Sequence, residues 1–166
     1  MGNTISGGGR GRDLYMSNGG TEVFVEVLML AVSALASREW DLRFAGLIAL
    51  QDQAVFGRGA VGFDLKEIDW GDSLAKQAVN REFVQSTIGL ALGRHRWDEL
   101  GYDPPFAEGY LLDFRQVVNM FDPSTAVPDP LVFPVFKEVV ALCCARHRVL
   151  TPLRAYTACV FCERDY

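Results

Sequence analysis

Histidine is scarce in this chain of 166 residues, which contains only His95 and His147. Because histidine is the side chain that most often moves protons near neutral pH, acid–base catalysis has few candidate residues. The chain also lacks a Gly-x-Ser-x-Gly, His-Glu-x2-His or Walker-type motif. The sequence therefore predicts a protein that is not an enzyme and that binds no organic cofactor.

His95 is the histidine that a catalytic interpretation would use. It lies between Arg94 and Arg96, whose positive charges disfavour the protonated imidazole. One interpretation makes His95 a base beside Asp98 or Glu99, and the other places it in a solvated, charged helix start. We prefer the second interpretation because no catalytic motif surrounds the histidine.

Export and membrane signals are also missing from the sequence. No basic start followed by an apolar stretch is present at the N-terminus. The longest apolar run, residues 27–36, is interrupted by Ser33 and is much shorter than the ~20 residues of a membrane span. We therefore expect a cytoplasmic protein with reduced cysteines.

An excess of positive charge is absent, since the net charge is -5 and the pI is about 5.0. An acidic surface repels phosphate backbones, which disfavours nucleic acid as a general partner and favours a basic protein. Hydrophobic residues make up 49% and charged residues 22% of the chain. These fractions and the length predict one globular domain with a substantial core.

Residues 1–20 are rich in glycine and contain few side chains that a core would bury. We expect them to form a flexible tail because glycine loses much backbone entropy on folding. The same residues contain the pattern Met1-Gly2-x3-Ser6, which fits an N-myristoylation signal. A membrane is a predicted partner only if Gly2 carries this acyl group.

Apolar residues recur at three- and four-residue steps through most of the remaining chain. This pattern predicts helices from residue 21, over 39–55, 74–92 and 107–121, and from about residue 134. Asp72 or Ser73 is a suitable N-cap for the third helix, which ends at Gly93. A short helical turn is expected around Trp97, and the proline-rich residues 122–134 predict an extended connector.

Strong two-residue periodicity, the signature of a strand, is absent. The predicted fold class is all-α, a bundle of about five helices with a small C-terminal extension like a zinc knuckle. The predicted organisation is a flexible tail over 1–20, a helical domain over 21–142, and a metal-binding segment over 143–166 that packs on the same domain.

Cysteine is absent before residue 143, and all four cysteines follow within twenty residues. The pattern Cys144-x2-His147-x11-Cys159-x2-Cys162 contains two ligand pairs separated by a loop. A two-residue gap lets both side chains of one turn reach a single ion, and thiolate and imidazole ligands suit Zn2+. Because four ligands leave no open position, the sequence predicts a structural zinc site.

Other interpretations of these residues remain open. Cys143 is four residues before His147 and could replace Cys144 as the ligand, although it also continues an apolar stripe; we prefer Cys144. Cys159 and Cys162 fit a redox pair, but no βαβ pattern precedes them. The first two cysteines could also simply pack as small hydrophobic residues.

The predicted surface for a partner protein is the acidic loop from Phe63 to Asp72, which contains aromatic residues, together with residues near Trp97. Acidic residues around aromatic anchors are typical of such surfaces, although for this loop we prefer the simpler interpretation of a solvated loop whose Trp70 fills the core. The predicted contact residues are Asp64, Glu67, Asp69, Trp70, Asp72, Trp97, Asp98 and Glu99.

The function that these patterns favour is a small acidic protein-binding protein, of which a bacterial immunity or antitoxin-like inhibitor of a basic toxin domain is one form. One alternative is a zinc-containing regulator that binds nucleic acid through its C-terminal arginines, with Tyr156 and Phe161 stacked on bases. Another is an N-myristoylated viral or eukaryotic adaptor.

Overall fold

The computed structural model describes residues 2–8, 13–52, 62–162 and 164. Within these residues the α-helices are α1 (Asn18–Leu35), α2 (Glu39–Ala49), α3 (Leu74–Leu92) and α4 (Ala107–Met120). The strands are β1 (Gly2–Ser6), β2 (Leu14–Ser17) and β3 (Gly62–Asp64). The fold is therefore mainly helical with a small mixed sheet, and the prediction of a purely all-α bundle of about five helices is wrong.

Helix α1 is the central element of the core. Its N-cap Ser17 accepts a hydrogen bond from the Gly20 amide at 3.0 Å, and residues from Gly20 to Val32 are almost all buried. It packs against α2, α3 and α4 and against both N-terminal strands. The ring of Phe24 meets the ring of Phe114 of α4 edge to face, with centroids 5.3 Å apart.

The length and hydropathy of α1 also match those of a membrane-spanning helix. Its 18 residues have a mean hydropathy of 1.3, and 67% of them are buried inside the molecule. The central helix of a folded core has the same length and composition, so these two properties do not distinguish the two roles.

Helix α3 begins and ends where its sequence signals predict. Ser73 is the N-cap, and its hydroxyl accepts a hydrogen bond from the Lys76 amide at 3.2 Å. Gly93 is the C-cap, and its amide donates to the Gly89 carbonyl at 3.0 Å. A short 3-10 turn, Trp97–Glu99, follows as expected.

The sheet is built from residues that were predicted to be a tail. Strand β1 is central, antiparallel to β2 and parallel to β3. In β2, Leu14 and Met16 are buried whereas Tyr15 and Ser17 are exposed, so the strand has one core face. The flexible tail that we expected is therefore not observed in these strands, although the division of the chain into domains remains a prediction.

Gly62 is required where β3 approaches β1. Its φ is +130°, and a Cβ at this position would overlap the carbonyl oxygen of Thr4. Only glycine adopts such a backbone readily and permits this approach.

The helix predicted from residue 134 is not formed. Phe136–Glu138 is a single 3-10 turn, after which the chain is extended. Val139 and Leu153, and then Cys143 and Leu150, form isolated antiparallel bridges. Residues 138–154 therefore form a two-stranded hairpin, hereafter the C-terminal hairpin, and Cys144 begins its tip rather than ending a helix.

The C-terminal hairpin lies against α1 and α2. The Leu150 amide donates to the Ser33 hydroxyl of α1 at 2.9 Å. A Cβ on Gly46 of α2 would lie 3.0 Å from the Leu153 side chain and 3.3 Å from Pro134, which shows how closely the two elements pack. The C-terminal hairpin is therefore held against α1 and α2, whose residues are mostly buried.

Candidate metal centre and neighbouring surface

The first ligand pair lies on the tight turn at the tip of the C-terminal hairpin. The Cys144 amide donates to the Val149 carbonyl at 2.8 Å, and the Arg148 amide donates to the Cys144 carbonyl at 2.7 Å. Arg148 adopts a left-handed backbone with φ of 55°, which closes the turn. Cys144 and His147 consequently face the same point.

The second ligand pair lies on a similar turn. The Cys162 amide donates to the Cys159 carbonyl at 3.1 Å. Cys159 and Phe161 are buried, with 2% and 6% of their surface exposed. The ring centroids of Phe161 and His147 are 5.9 Å apart, so this apolar side chain covers the imidazole.

The two turns bring four ligand atoms together, all within 4.8 Å of one another. The Nδ1 atom of His147 lies 3.5, 3.3 and 3.7 Å from the Sγ atoms of Cys144, Cys159 and Cys162, respectively. The Cys162 Sγ lies 3.7 Å from that of Cys144 and 3.4 Å from that of Cys159. A zinc tetrahedron with Zn–S bonds of ~2.3 Å has edges of about 3.8 Å, so these four atoms could hold a metal ion.

Cys144, not Cys143, belongs to this cluster. Cys143 is exposed and pairs with Leu150 in the C-terminal hairpin. The preference for Cys144 is therefore confirmed in geometry, and all four cysteines are free of disulfides.

The ligands differ in how readily they ionise without a metal. Burial raises the pKa of the Cys159 thiol to about 12. Burial also opposes ionisation of Cys144, but hydrogen bonds from the His147 and Arg146 backbone and contacts with the other thiols outweigh it, so its pKa lies below the ordinary value. Burial and the charge of Arg146 lower the pKa of His147, which favours the neutral imidazole that a metal requires.

A buried ionic cluster lies just beyond the second turn. The Nε atom of Arg164 is 3.0 Å from a carboxylate oxygen of Glu26 on α1, and the same guanidinium pairs with Asp52. Tyr102 donates its hydroxyl hydrogen to Glu26. The Arg164 side chain is 9% exposed, so this cluster joins the metal-binding segment to the core. Sequence reasoning missed it because no spacing rule links residues so far apart.

Trp70 is not available to a partner, because only 2% of its surface is exposed. Its indole nitrogen donates to the Leu65 carbonyl at 2.8 Å, and its ring lies 5.8 Å from that of Trp40. Of the two interpretations of this loop, Trp70 follows the one in which it fills the core.

The acidic residues near Trp70 have local hydrogen-bonding and ion-pairing roles. Asp64 caps a 3-10 turn by accepting from the Lys66 amide at 2.9 Å, and Glu67 accepts from the Asp64 amide at 2.8 Å. Asp69 pairs with Arg43 at 3.3 Å and Asp72 with Lys76 at 2.9 Å. These four carboxylates therefore stabilise their own loop and its neighbours. Their binding to a partner remains a prediction.

The loop between α3 and α4, residues 93–106, brings together the remaining predicted contact residues. A cavity of about 520 Å³ in this α3–α4 loop is lined by Arg94, Trp97, Asp98 and Asp103, among others. The Arg94 guanidinium lies 5.0 Å from the Trp97 ring centroid. Among the described residues, the indole nitrogen of Trp97 is one of two buried side-chain nitrogen or oxygen atoms without a hydrogen-bond partner.

Phe106 ends the same loop and was missed in the sequence. Its side chain is 78% exposed, and its backbone is left-handed with φ of 62°. A bulky residue in this conformation is unusual, and an exposed aromatic side chain is a common anchor at protein interfaces. The preceding pair Pro104 and Pro105 indicates a break in the chain but does not indicate a binding residue.

The structure also describes the residues on which the nucleic-acid, catalytic and acylation interpretations depend. Phe161 is buried and Arg164 is ion-paired with two carboxylates, so neither is presented to a nucleic acid, whereas Tyr156 is 43% exposed. His95 is half-buried and does not line the cavity of the α3–α4 loop. Gly2 is the first residue of β1 and pairs with Ser17; its acylation remains a prediction that intact mass would test.

Comparisons of the chain with protein-family models, with curated proteins and with solved structures find no match.

Proposed function

We propose that the chain is a non-enzymatic binding protein whose C-terminal segment is fastened by one structural Zn2+. The observation that carries the zinc assignment is the convergence of three thiols and one imidazole within 4.8 Å. This ligand set is typical of structural zinc, and a closed four-ligand site has no position left for a substrate or an activated water. The free thiols suit a reducing compartment such as the cytoplasm.

Metal analysis of the purified protein tests the zinc assignment. We expect about one zinc per chain, as for other sites of this type. Cys144→Ser should lose the zinc, whereas Cys143→Ser, one residue away and exposed, should retain it. Equal zinc content in the two variants, or none in protein purified without chelators, would contradict the assignment.

The α3–α4 loop is the surface that we propose for the partner. It combines an exposed aromatic residue, Phe106, with a cavity beside Trp97 and an exposed acidic residue, Asp98. Natural interfaces concentrate binding energy in aromatic anchors surrounded by polar residues. Salt bridges of Glu99 with Arg96 and Arg148 support the loop from the side of the metal centre.

A basic protein is the partner class that fits the net charge of -5. Complementary charge accelerates association and selects against acidic competitors. In this proposal the protein acts as an immunity or antitoxin-like inhibitor, which covers a basic toxin domain.

Capture experiments with surface variants test the binding role. A protein captured from the native lysate by the wild-type chain should be lost, or captured at least tenfold less, with Phe106→Ala and should be captured more slowly with Asp98→Asn. Leu131→Ala is the matched control, because Leu131 is 86% exposed and lies outside the loop. If all three variants capture the same protein equally, the α3–α4 loop is not the binding surface.

A further inference from the structure

Arg96 connects the α3–α4 loop to the turn that carries two of the metal ligands. Its Nη2 atom donates to the His147 carbonyl at 2.8 Å, and its Nη1 atom donates to the Arg148 carbonyl at 3.0 Å. The side chain is 18% exposed; its bond to the His147 carbonyl is partly buried, whereas its bond to the Arg148 carbonyl is exposed. A single guanidinium therefore binds two consecutive carbonyls of the ligand turn.

Glu99 holds the other edge of the same guanidinium. It accepts from the Arg96 Nε at 2.6 Å and from Nη2 at 3.2 Å, and it also pairs with Arg148. The pKa of Glu99 lies below its ordinary value, chiefly because its carboxylate accepts hydrogen bonds from Arg96. Partial burial opposes this effect, and the positive charges of Arg96 and Arg148 add to it. The carboxylate consequently stays ionised at neutral pH and orients Arg96 toward the turn.

The ligand turn needs such support because its backbone is strained. Arg148 has φ of 55° and Arg96 itself has φ of 60°, in the left-handed region that disfavours residues with a Cβ. Residues with a Cβ adopt this conformation only where their surroundings hold them in it. Contacts that fix the carbonyls of residues 147 and 148 fix the backbone from which the His147 ring extends, and the Nδ1 atom of that ring faces the three sulfurs.

We propose that Arg96 is the positioning residue of the metal centre: it binds no ion itself but holds His147 in the ligand geometry before the metal arrives. This inference rests on the proposed zinc site. Residues that orient metal ligands typically contribute a factor of 10–100 to metal affinity. Lysine cannot replace arginine here, since one ammonium group cannot reach both carbonyls and Glu99 in the same plane.

Zinc affinity is measured by competition with a chromophoric chelator for the wild type, Arg96→Lys and Arg96→Ala. We expect both variants to bind Zn2+ about 10–100 times more weakly. Arg94→Lys is the matched control, because Arg94 lies in the same loop with φ of 63° but has a 66% exposed side chain that pairs with Asp103. Its zinc affinity should equal that of the wild type.

A merely structural role for Arg96 gives a different result. The variants would then lose the same free energy of unfolding with zinc and with chelator, and their zinc affinity would be unchanged, which would overturn the inference. If the Arg96→Ala variant does not fold, Arg96→Lys supplies the comparison, with circular dichroism as the check of folding. Failure of the wild type to bind zinc would instead overturn the proposed function.

Discussion

Left-handed backbone at residues other than glycine occurs in the α3–α4 loop and in the turn that carries His147. In the part of the chain that the structure describes, these residues are Arg94, Arg96, Phe106 and Arg148. Arg96 and Arg148 have compensating hydrogen bonds and ion pairs. Phe106 has a ring contact with Tyr110, with centroids 6.4 Å apart, and its carbonyl accepts a hydrogen bond from the Tyr110 amide at 3.0 Å. Its exposed side chain adds no ion pair, so its strain is less compensated, which is consistent with selection for binding.

Phe106→Asn should stabilise the isolated protein. Asparagine tolerates the left-handed conformation better than phenylalanine, and the exposed ring contributes little burial. We expect the free energy of unfolding in urea to rise by about 0.5–1 kcal/mol. Leu131→Asn, at an exposed residue that has no positive φ, should change it by less; a decrease for Phe106→Asn would show that the ring supports the fold.

Two glycines in different elements should respond oppositely to alanine. At Gly62 in β3 the added Cβ meets the Thr4 carbonyl and the φ of +130° becomes strained, so we expect a loss of about 2 kcal/mol. At Gly89 in α3 nothing lies within 4 Å, so the higher helix propensity of alanine should add about 0.5–1 kcal/mol.

Urea unfolding of the two variants measures both effects. The pair controls for the general entropic effect of replacing glycine, which acts on the unfolded chain in both cases. Destabilisation of equal size at both positions would mean that the close approach of β3 to β1 does not determine the cost.

Local signals predicted some elements well. Ser73 and Gly93 define α3 because capping is a property of a few neighbouring residues. The start of α2 at Glu39 was also predicted; the structure ends this helix at Ala49, and the predicted end at residue 55 lies outside the described residues. The convergence of Cys144, His147, Cys159 and Cys162 was predicted because two short spacings specify the chemistry of such a cluster.

Long-range pairing explains what the sequence did not reveal. Strand β1 is stabilised by pairing with β3 at residues 62–64, and the glycine-rich sequence around β1 gave no periodic signal. The apolar steps through Phe136, Val139 and Val140 suggested a helix, but Phe136 is 57% exposed and Val139 pairs with Leu153 instead. Periodicity within one segment cannot detect a partner segment further along the chain.

At the scale of the whole molecule, the ionic cluster of Arg164, Glu26 and Asp52 connects the metal-binding segment to the core. Arg164→Met keeps the apolar volume but removes the buried cation that both carboxylates contact. We expect a loss of about 3–5 kcal/mol in the free energy of unfolding, since a buried charge without its counter-ion is costly.

Arg154→Met is the control for this substitution, because Arg154 is exposed in the C-terminal hairpin. Its effect should stay within about 0.5 kcal/mol by thermal or urea unfolding. If the two variants have the same stability, the cluster does not join the segment to the core.

Zinc binding should weaken as the pH falls. Without metal the Cys159 thiol, with its pKa of about 12, is protonated at neutral pH, and it must release its proton to bind. His147 has a lowered pKa and is already neutral there. Each released proton improves the apparent zinc affinity about tenfold per pH unit, so affinity should rise by at least this factor from pH 6.5 to 7.5.

Competition titrations at the two pH values, with proton release measured in a weakly buffered solution, provide the check. An affinity that does not change with pH would mean that the thiols do not bind the metal as thiolates.

The contact between Glu26 and Arg164 also determines when the fold can be completed during synthesis. Glu26 emerges from the ribosome long before Arg164, and until then α1, the most apolar of the described helices, carries a carboxylate whose guanidinium counter-ion has not yet been made. The ion pairs that attach the metal-binding segment to the core can therefore form only after residue 164 has been synthesised.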